Sequence, residues 1–262
     1  MTPTWDHLIK RAETLRAQRS EVAELLTFYS ELLGAQKRVY EFTRSRAGWL
    51  PSGWLAEDFS EIQPALALLL ETVAACGPAL LADEARRLRQ ASADDLKELL
   101  LRYWHAPADG QFFAKAFLQP YAALLAELGR TPTGRNLEGG ENRCPFCAGK
   151  PQLALLKPQE AGGDGGLRHL LCSTCLSQWT FRRVVCANCG EERPTKLAYF
   201  HAPEYDHLRV ESCDACGHYI KAVDLTRLGI AAPLVDEVAA AALDVWAREH
   251  GYTKIELNLV GL

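Results

Sequence analysis

Arg143-Cys-Pro-Phe-Cys147, Cys172-Ser-Thr-Cys175, Cys186-Ala-Asn-Cys189 and Cys213-Asp-Ala-Cys-Gly217 place four Cys-x-x-Cys pairs between residues 144 and 216. They hold eight of the chain's nine cysteines; the ninth, Cys76, stands alone and reads as a helix-end core thiol. A Cys-x-x-Cys turn lets two thiolates grip one edge of a metal ion while backbone N–H groups face the sulfurs. Two such turns on facing hairpins complete a tetrahedral site closed to water. Four pairs at one spacing therefore predict two metal sites, and a disulfide framework does not suit a chain without an export signal.

The pairs form an internal repeat. Cys144 to Cys172 is a step of 28 residues, Cys186 to Cys213 a step of 27, and the two halves start 42 apart. A lysine-bearing apolar strand follows each leading pair (Lys150-Pro-Gln-Leu-Ala154 and Pro194-Thr-Lys-Leu-Ala198), and Leu167-Arg168 and Leu208-Arg209 precede the trailing pairs. Two tandem units follow from this. The repeat favours sequential ligand sets, Cys144, Cys147, Cys172 and Cys175 for site 1 and Cys186, Cys189, Cys213 and Cys216 for site 2. A cross-braced set joining Cys144/Cys147 to Cys186/Cys189 stays open. Gly190 and Gly217 follow the second cysteine of their pairs, where a positive φ is cheap for glycine; Ala148 and Leu176 stand at the equivalent places and predict less ideal turns.

Working outward, strand-like stretches at 152–156, 167–171, 179–185, 196–200, 208–211 and 219–223 flank the pairs, and helical rhythm returns from Pro233 to about His250. The tail Lys254 to Leu262 alternates like a short strand or lies extended. Upstream of Cys144, the Gly- and Pro-rich stretch 129–142 reads as a linker. Before it, Trp5, Leu8, Ile9, Ala12, Leu15 and then Val22, Leu25, Leu26, Tyr29, Leu32 keep helical spacing. Pro51, Pro64, Gly77-Pro78 and Pro107 divide the remainder into segments near 35–47, 58–75, 79–90, 93–104 and 111–129. The fold class is α+β. A helical bundle of five to seven helices (1–142) precedes two rubredoxin-like or zinc-ribbon-like four-cysteine units (143–184 and 185–224), then a C-terminal helix and tail (225–262).

Of the 262 residues, 29 are Lys or Arg and 33 Asp or Glu, giving a formal charge of −4; 48% are hydrophobic. Disorder and low-complexity classes are excluded, and the basic footprint of a nucleic-acid binder is missing from both halves. Apolar runs such as 65–70 are too short to span a bilayer. The charged N-terminal text does not read as a signal peptide, so a cytoplasmic protein without membrane insertion is expected. No Ser-His-Asp set, phosphate-cradling glycine loop or zinc-protease motif appears, which predicts a non-enzyme with no catalytic residues. His169, His201, His207 and His218 lie near the pairs but are superfluous as ligands.

Four thiolates accept iron or zinc alike, and Cys-Pro-Phe-Cys, like a rubredoxin turn, points mildly to iron. Two mononuclear iron sites, with zinc as the alternative, would each carry −2 and take the chain from −4 to about −8. Arg168, Arg182, Arg183 and Arg209 are placed to offset that charge. Trp179, Phe181, Tyr199, Phe200 and Tyr219 are expected to pack around the sulfurs. Trp49 and Trp54, bracketing Pro-Ser-Gly, cap the bundle or anchor a partner.

Residues 143 to about 224 resemble the formate dehydrogenase accessory protein family, FdhE. The resemblance runs through Arg143-Cys-Pro-Phe-Cys, Gly166-Leu-Arg-His-Leu-Leu-Cys-Ser-Thr-Cys, Gln178-Trp179, Arg182 to Cys189, Glu211-Ser-Cys-Asp-Ala-Cys-Gly217 and Tyr219-Ile-Lys221. The helical half is similar more loosely, in 11–16 and 28–36. Ala148 stands where the family usually has Gly, and the first helix is expected to start without the family's Pro- and Leu-rich leader. The resemblance implies an assembly factor or chaperone with rubredoxin-like metal sites, whose partner is the immature catalytic subunit of respiratory formate dehydrogenase. A homodimer fits it too. The alternatives are a rubredoxin-like redox or oxygen-sensing protein and a zinc-ribbon nucleic-acid binder; the isoelectric point near 6.0 argues against the last.

Overall fold

The computed structural model describes residues 4–135, 140–158 and 167–262, so Gly139 of the linker and Gly166 of the repeat lie outside the described residues. Before Cys144 the described α-helices are α1 (Trp5–Gln18), α2 (Ala23–Arg44), α3 (Leu55–Ile62), α4 (Leu66–Cys76), α5 (Ala79–Leu88), α6 (Ala93–His105) and α7 (Phe112–Glu127). Their starts follow from local chemistry. Ser92 caps α6 by accepting from the Asp95 backbone N–H at 3.1 Å while the Asp95 carboxylate reaches back to Ser92, the reciprocal arrangement that leaves fewer N–H groups unpaired. α7 is apolar all round because it runs through the core: every residue from Phe113 to Leu125 is buried.

The stretch Leu55–Cys76 is, among the described residues, long and apolar enough by length and composition to cross a membrane. Here it is α3 and α4 joined by a 3-10 turn at Gln63–Ala65, and Phe59, Ile62, Leu66, Leu69 and Val73 line the common core. The stretch before Cys144 is pinned rather than free: Thr133 N–H donates to Gly53 O at 2.7 Å, the Trp104 indole to Thr133 O at 2.9 Å, and Arg135 lies over the Trp104 ring. Trp49 packs on the core while Trp54 is 49% exposed.

The second half is one mixed sheet in the order β3-β2-β1-β6-β5-β4. The strands are β1 (Pro151–Lys157), β2 (Leu167–Cys172), β3 (Gln178–Thr180), β4 (Leu197–His201), β5 (Leu208–Cys213) and β6 (His218–Asp224). Each repeat unit supplies three antiparallel strands, and the units meet where β1 and β6 pair in parallel, Leu153 opposite Lys221 through Leu156 opposite Asp224. A two-residue strand β7 (Thr253–Lys254) extends the same edge of β6. Both faces of the seam are covered, which is why β1 is buried along almost its whole length. Leu153, Leu155, Tyr219 and Val223 face the helices, whereas Ala154, Leu170, Ile220 and Ala222 close on Phe181, Val185 and Ile255.

The expected single C-terminal helix is two, α8 (Pro233–Ala239) and α9 (Ala241–Glu249), broken at Ala240. The break has an identifiable cause. The buried ammonium of Lys221 on β6 takes the carbonyls of Glu237 (2.6 Å) and Ala240 (3.4 Å) and pairs with the Asp244 carboxylate. Around it Lys254 pairs with Glu237 and Asp244, Gln152 donates to Glu237 at 2.7 Å and Tyr219 to Asp244 at 2.8 Å. Two ammoniums and two carboxylates thus sit buried at the seam with their charges balanced. Nearby, Asp236 on α8 accepts from Arg11 of α1 (2.6 and 3.0 Å), from the Ala232 N–H (2.8 Å) and contacts His207 (2.8 Å).

Replacing Lys221 with Met leaves two buried carboxylates, Asp244 and Glu237, to the single ammonium of Lys254 and should lower unfolding stability by about 3–5 kcal/mol, read from urea melts. Burial opposes ionisation of Asp236, but the hydrogen bonds from His207 and Arg11 outweigh it and hold the carboxyl below its ordinary 3.8. Its stabilisation is complete above that ordinary value and disappears as pH falls through the lower folded one. The urea-midpoint gap between the native chain and Asp236→Asn should therefore be widest near pH 6 and close progressively below about pH 4.

Candidate metal centres

Each cysteine pair is a tight turn: the trailing pairs begin at the last residues of β2 (Cys172) and β5 (Cys213), and the leading pairs lie in the loops before β1 and β4. In three of the four, the residue after the second cysteine donates its N–H to the carbonyl of the first: Ala148 to Cys144 (2.8 Å), Gly190 to Cys186 (3.0 Å) and Gly217 to Cys213 (2.8 Å). All four such residues have positive φ: Ala148 54°, Leu176 59°, Gly190 76° and Gly217 68°. Two turns thus hold a side chain in the left-handed region, a local strain of about 1 kcal/mol each that the surrounding structure must outweigh. Inside the turns, Thr174 N–H points at the Cys172 sulfur (3.3 Å) and Asn188 N–H at the Cys186 sulfur (3.4 Å).

The turns meet in two sets. The sulfurs of Cys144, Cys147, Cys172 and Cys175 lie within 4.8 Å of one another, as do those of Cys186, Cys189, Cys213 and Cys216. Nearest sulfur separations are 3.4–3.6 Å in the first cluster and 3.8 Å in the second. A tetrahedron with metal–sulfur bonds of about 2.3 Å has edges of about 3.8 Å, so both clusters fit one ion apiece. In the first cluster, hydrogen bonds among the sulfurs hold the Cys144 and Cys147 thiols below their ordinary value, whereas Cys172, chiefly through burial, and Cys175, chiefly through its sulfur neighbours, are pushed well above it. The four thiols are thus pulled in opposite directions. A central dication is the partner that lets all four ionise together.

The first cluster is embedded in the common core, next to Leu176, and is tied to the helices. Gln119 on α7 donates to Ser173 O at 2.9 Å and itself accepts from Gln36 on α2 at 3.0 Å. Arg135 donates to Cys147 O at 3.1 Å. The second cluster lies at the rim, with Cys189 exposed and Cys216 half-buried.

Residues 143–183 match the FdhE central domain and residues 184–260 the FdhE C-terminal domain. Residues 143–260 are thus similar to two consecutive domains of the FdhE family. The chain is 35% identical over 151 residues to the FdhE homolog of Aquifex aeolicus, covering 58% of this chain and 52% of that one. It is 31% identical over 190 residues to Protein FdhE of an Escherichia coli O127:H6 strain, covering 70% and 59%. It therefore spans between about half and three-fifths of the length of these curated relatives. The crystal structure of the FdhE protein from Pseudomonas aeruginosa shares the fold with a TM-score of 0.70 at 23% identity, over 99% of this chain and 97% of that one.

Other residues that the sequence pattern picks out take different places. Three of the four arginines named as charge partners of the sulfurs are instead held by carboxylates. Arg168 and Arg209 both bond Glu211 at 2.6 Å and Arg182 bonds Glu192 at 2.6 Å, because a guanidinium fork fits a carboxylate better than a diffuse sulfur charge. Trp179 and Phe181 line a cleft with Cys144, and Tyr199 lies near Cys186 and Cys213. Phe200 packs on Trp246 and Tyr219 on Asp244 instead. His207 goes to Asp236 and His218 to Cys216 O at 2.7 Å; neither joins a cluster. Sequence reading missed Gln119 and Arg135. The first is, with Lys115, one of two buried polar side chains in an otherwise apolar stretch of helix, a recognisable signal; the second sits in Gly- and Pro-rich text that carries none.

A Cβ at Gly149 would stand 2.7 Å from the Cys172 sulfur, 2.9 Å from Thr174 Oγ1 and 3.3 Å from the Cys147 sulfur. Gly149→Ala should therefore reduce bound metal from two ions to one per chain, counted by native mass spectrometry. Ala148→Gly, which relieves a positive φ, should leave both in place.

Proposed function

We propose that this chain is a cytoplasmic assembly factor for respiratory formate dehydrogenase that binds the enzyme's immature catalytic subunit, and is not itself an enzyme. The observation that carries the reading is the pair of four-cysteine clusters within residues 143–260, the stretch that matches the FdhE family. We assign Cys144, Cys147, Cys172 and Cys175 to one mononuclear site and Cys186, Cys189, Cys213 and Cys216 to the other, with iron as the ion and zinc as the alternative. Four protein sulfurs around one ion leave no open position for a substrate, so such a site shapes and ties a fold or passes an electron; it does not hydrolyse. When bound, the ion supplies the charge that holds four thiolates together.

The protein residues do the rest. Gln119 and Arg135 transmit the position of the first cluster to α7 and to the base of α6, so loading that cluster and docking the helices on the sheet are one event. Binding energy of a structural four-thiolate ion, about 10–16 kcal/mol in small peptides, is largely folding energy. Loss of the ion is expected to loosen the sheet half and remove the partner surface.

A rubredoxin-like redox role is the second reading, favoured by the solvent-facing edge of the second cluster at Cys189. Metal content and visible absorption of protein purified without oxygen divide the two. Two irons with thiolate charge-transfer bands support a redox-competent factor, and two zincs in a colourless solution make the clusters structural. In a tagged pull-down from cells making the dehydrogenase, the native chain should recover the catalytic subunit and the Cys144→Ser and Cys213→Ser variants should not. Unchanged recovery by both variants would defeat the metal-dependent docking model.

A further inference from the structure

The two clusters share ligand type and spacing but not surroundings. In the first, all four cysteines are buried, Cys147 and Cys172 completely. The turn behind it is so closely filled that Gly149 has no room for a methyl group. Gln119 and Arg135 lock two of its carbonyls to the helices. The cleft lined by Trp179 and Phe181 reaches this cluster at Cys144, yet leaves that residue only 3% exposed.

The second cluster is the reverse. Cys189 is exposed and Cys216 half-buried, and a Cβ built at Gly190 or Gly217 would meet nothing within 4 Å, so both turn tips face open solvent. Its sulfurs are also unevenly supported. Asn188 offers its backbone N–H to Cys186 at 3.4 Å and its side-chain amide to Cys216 at 3.7 Å, and Cys213 is buried. Cys189 has the Cys213 sulfur at 3.8 Å and the other two of its cluster within 4.8 Å, but among the described residues no N–H is recorded donating to its sulfur. N–H donors stabilise a ligating thiolate; Cys189 is the exposed member of the set without one.

We propose that the second cluster is a ligand-exchange site, opened at Cys189 by an incoming thiolate, while the first is a permanent structural clamp. This deepens the metal-binding reading given above and rests on it. In the exchange, the sulfur–metal bond to the incoming thiolate forms as the bond to Cys189 breaks, and the freed Cys189 sulfur takes a proton from water. No oxidation state changes, so no oxidant or reductant is needed. The ligand class is a soft donor, a cysteine thiolate of a bound protein or a small-molecule thiol. Cys186, Cys213 and Cys216 continue to hold the ion through the exchange.

The full chain carrying two ions, counted by native mass spectrometry, is challenged with glutathione and a chromogenic chelator, 4-(2-pyridylazo)resorcinol. Release is expected in two phases of one ion each, separated at least ten-fold in rate. Cys189→Ser, a change at an exposed position, should remove the fast phase and leave the slow one. In parallel, N-ethylmaleimide on the loaded native chain should label Cys189 first among the eight cluster cysteines, located by peptide mapping, with the unliganded Cys76 scored separately. Both ions leaving in one phase, a fast phase that survives in Cys189→Ser, or first labelling at any cysteine of the first cluster would each overturn the hierarchy. Fewer than two ions before the challenge would overturn the metal reading beneath it.

Discussion

Eight sulfur atoms carried on four turns must converge on two points, and most of the architecture follows from that constraint. A turn that presents two sulfurs on one side forces its last residue to positive φ. The chain accepts that conformation four times, twice with glycine and twice with Ala148 and Leu176. Turns so shaped need strands of matched length to hold them apart and then together. Each repeat unit therefore builds three antiparallel strands, with its two turns meeting at one end.

A sheet made of two such units has a seam, and the seam is where the protein spends its buried charge. Lys221, Lys254, Glu237 and Asp244 sit there with no net charge, holding β6, β7 and both C-terminal helices, while Gln152 brings in β1 from the other unit. A buried charge set of this kind contributes less to stability than its short contacts suggest, since desolvation offsets most of the attraction. Its effect is directional. It permits one docking of the helices and penalises others, because any slip leaves an ion unpaired. The Arg168–Glu211–Arg209 set acts similarly on the opposite face, where equivalent arginines of the two units converge on one carboxylate.

The repeat is symmetric in sequence and asymmetric in consequence. The first unit is packed against α7 and shares the bundle's core, so its cluster is enclosed; the second unit has no helical layer over its turns, so its cluster faces solvent. Ligands of one type at one spacing thereby acquire two environments from a single bundle of helices on one side.

Sequence by itself determined the four Cys-x-x-Cys turns and favoured one four-cysteine set per repeat, because that spacing is a local property of a tight turn; that the sulfurs cluster repeat by repeat and not cross-braced was decided by the tertiary structure. Sequence also determined the helical half, the strand positions to within a few residues and the FdhE resemblance, all of which rest on short-range periodicity and motif. It did not show that α8 and α9 are separate, since the break arises from Lys221, which lies 16 residues before Glu237 and 19 before Ala240. Nor did it show Arg135 at Cys147, the carboxylates that claim Arg168 and Arg209, or the difference in exposure between Cys172 and Cys189. Those features depend on which surfaces meet in space, and a guanidinium or ammonium chooses among distant acceptors only after the packing has brought them within reach.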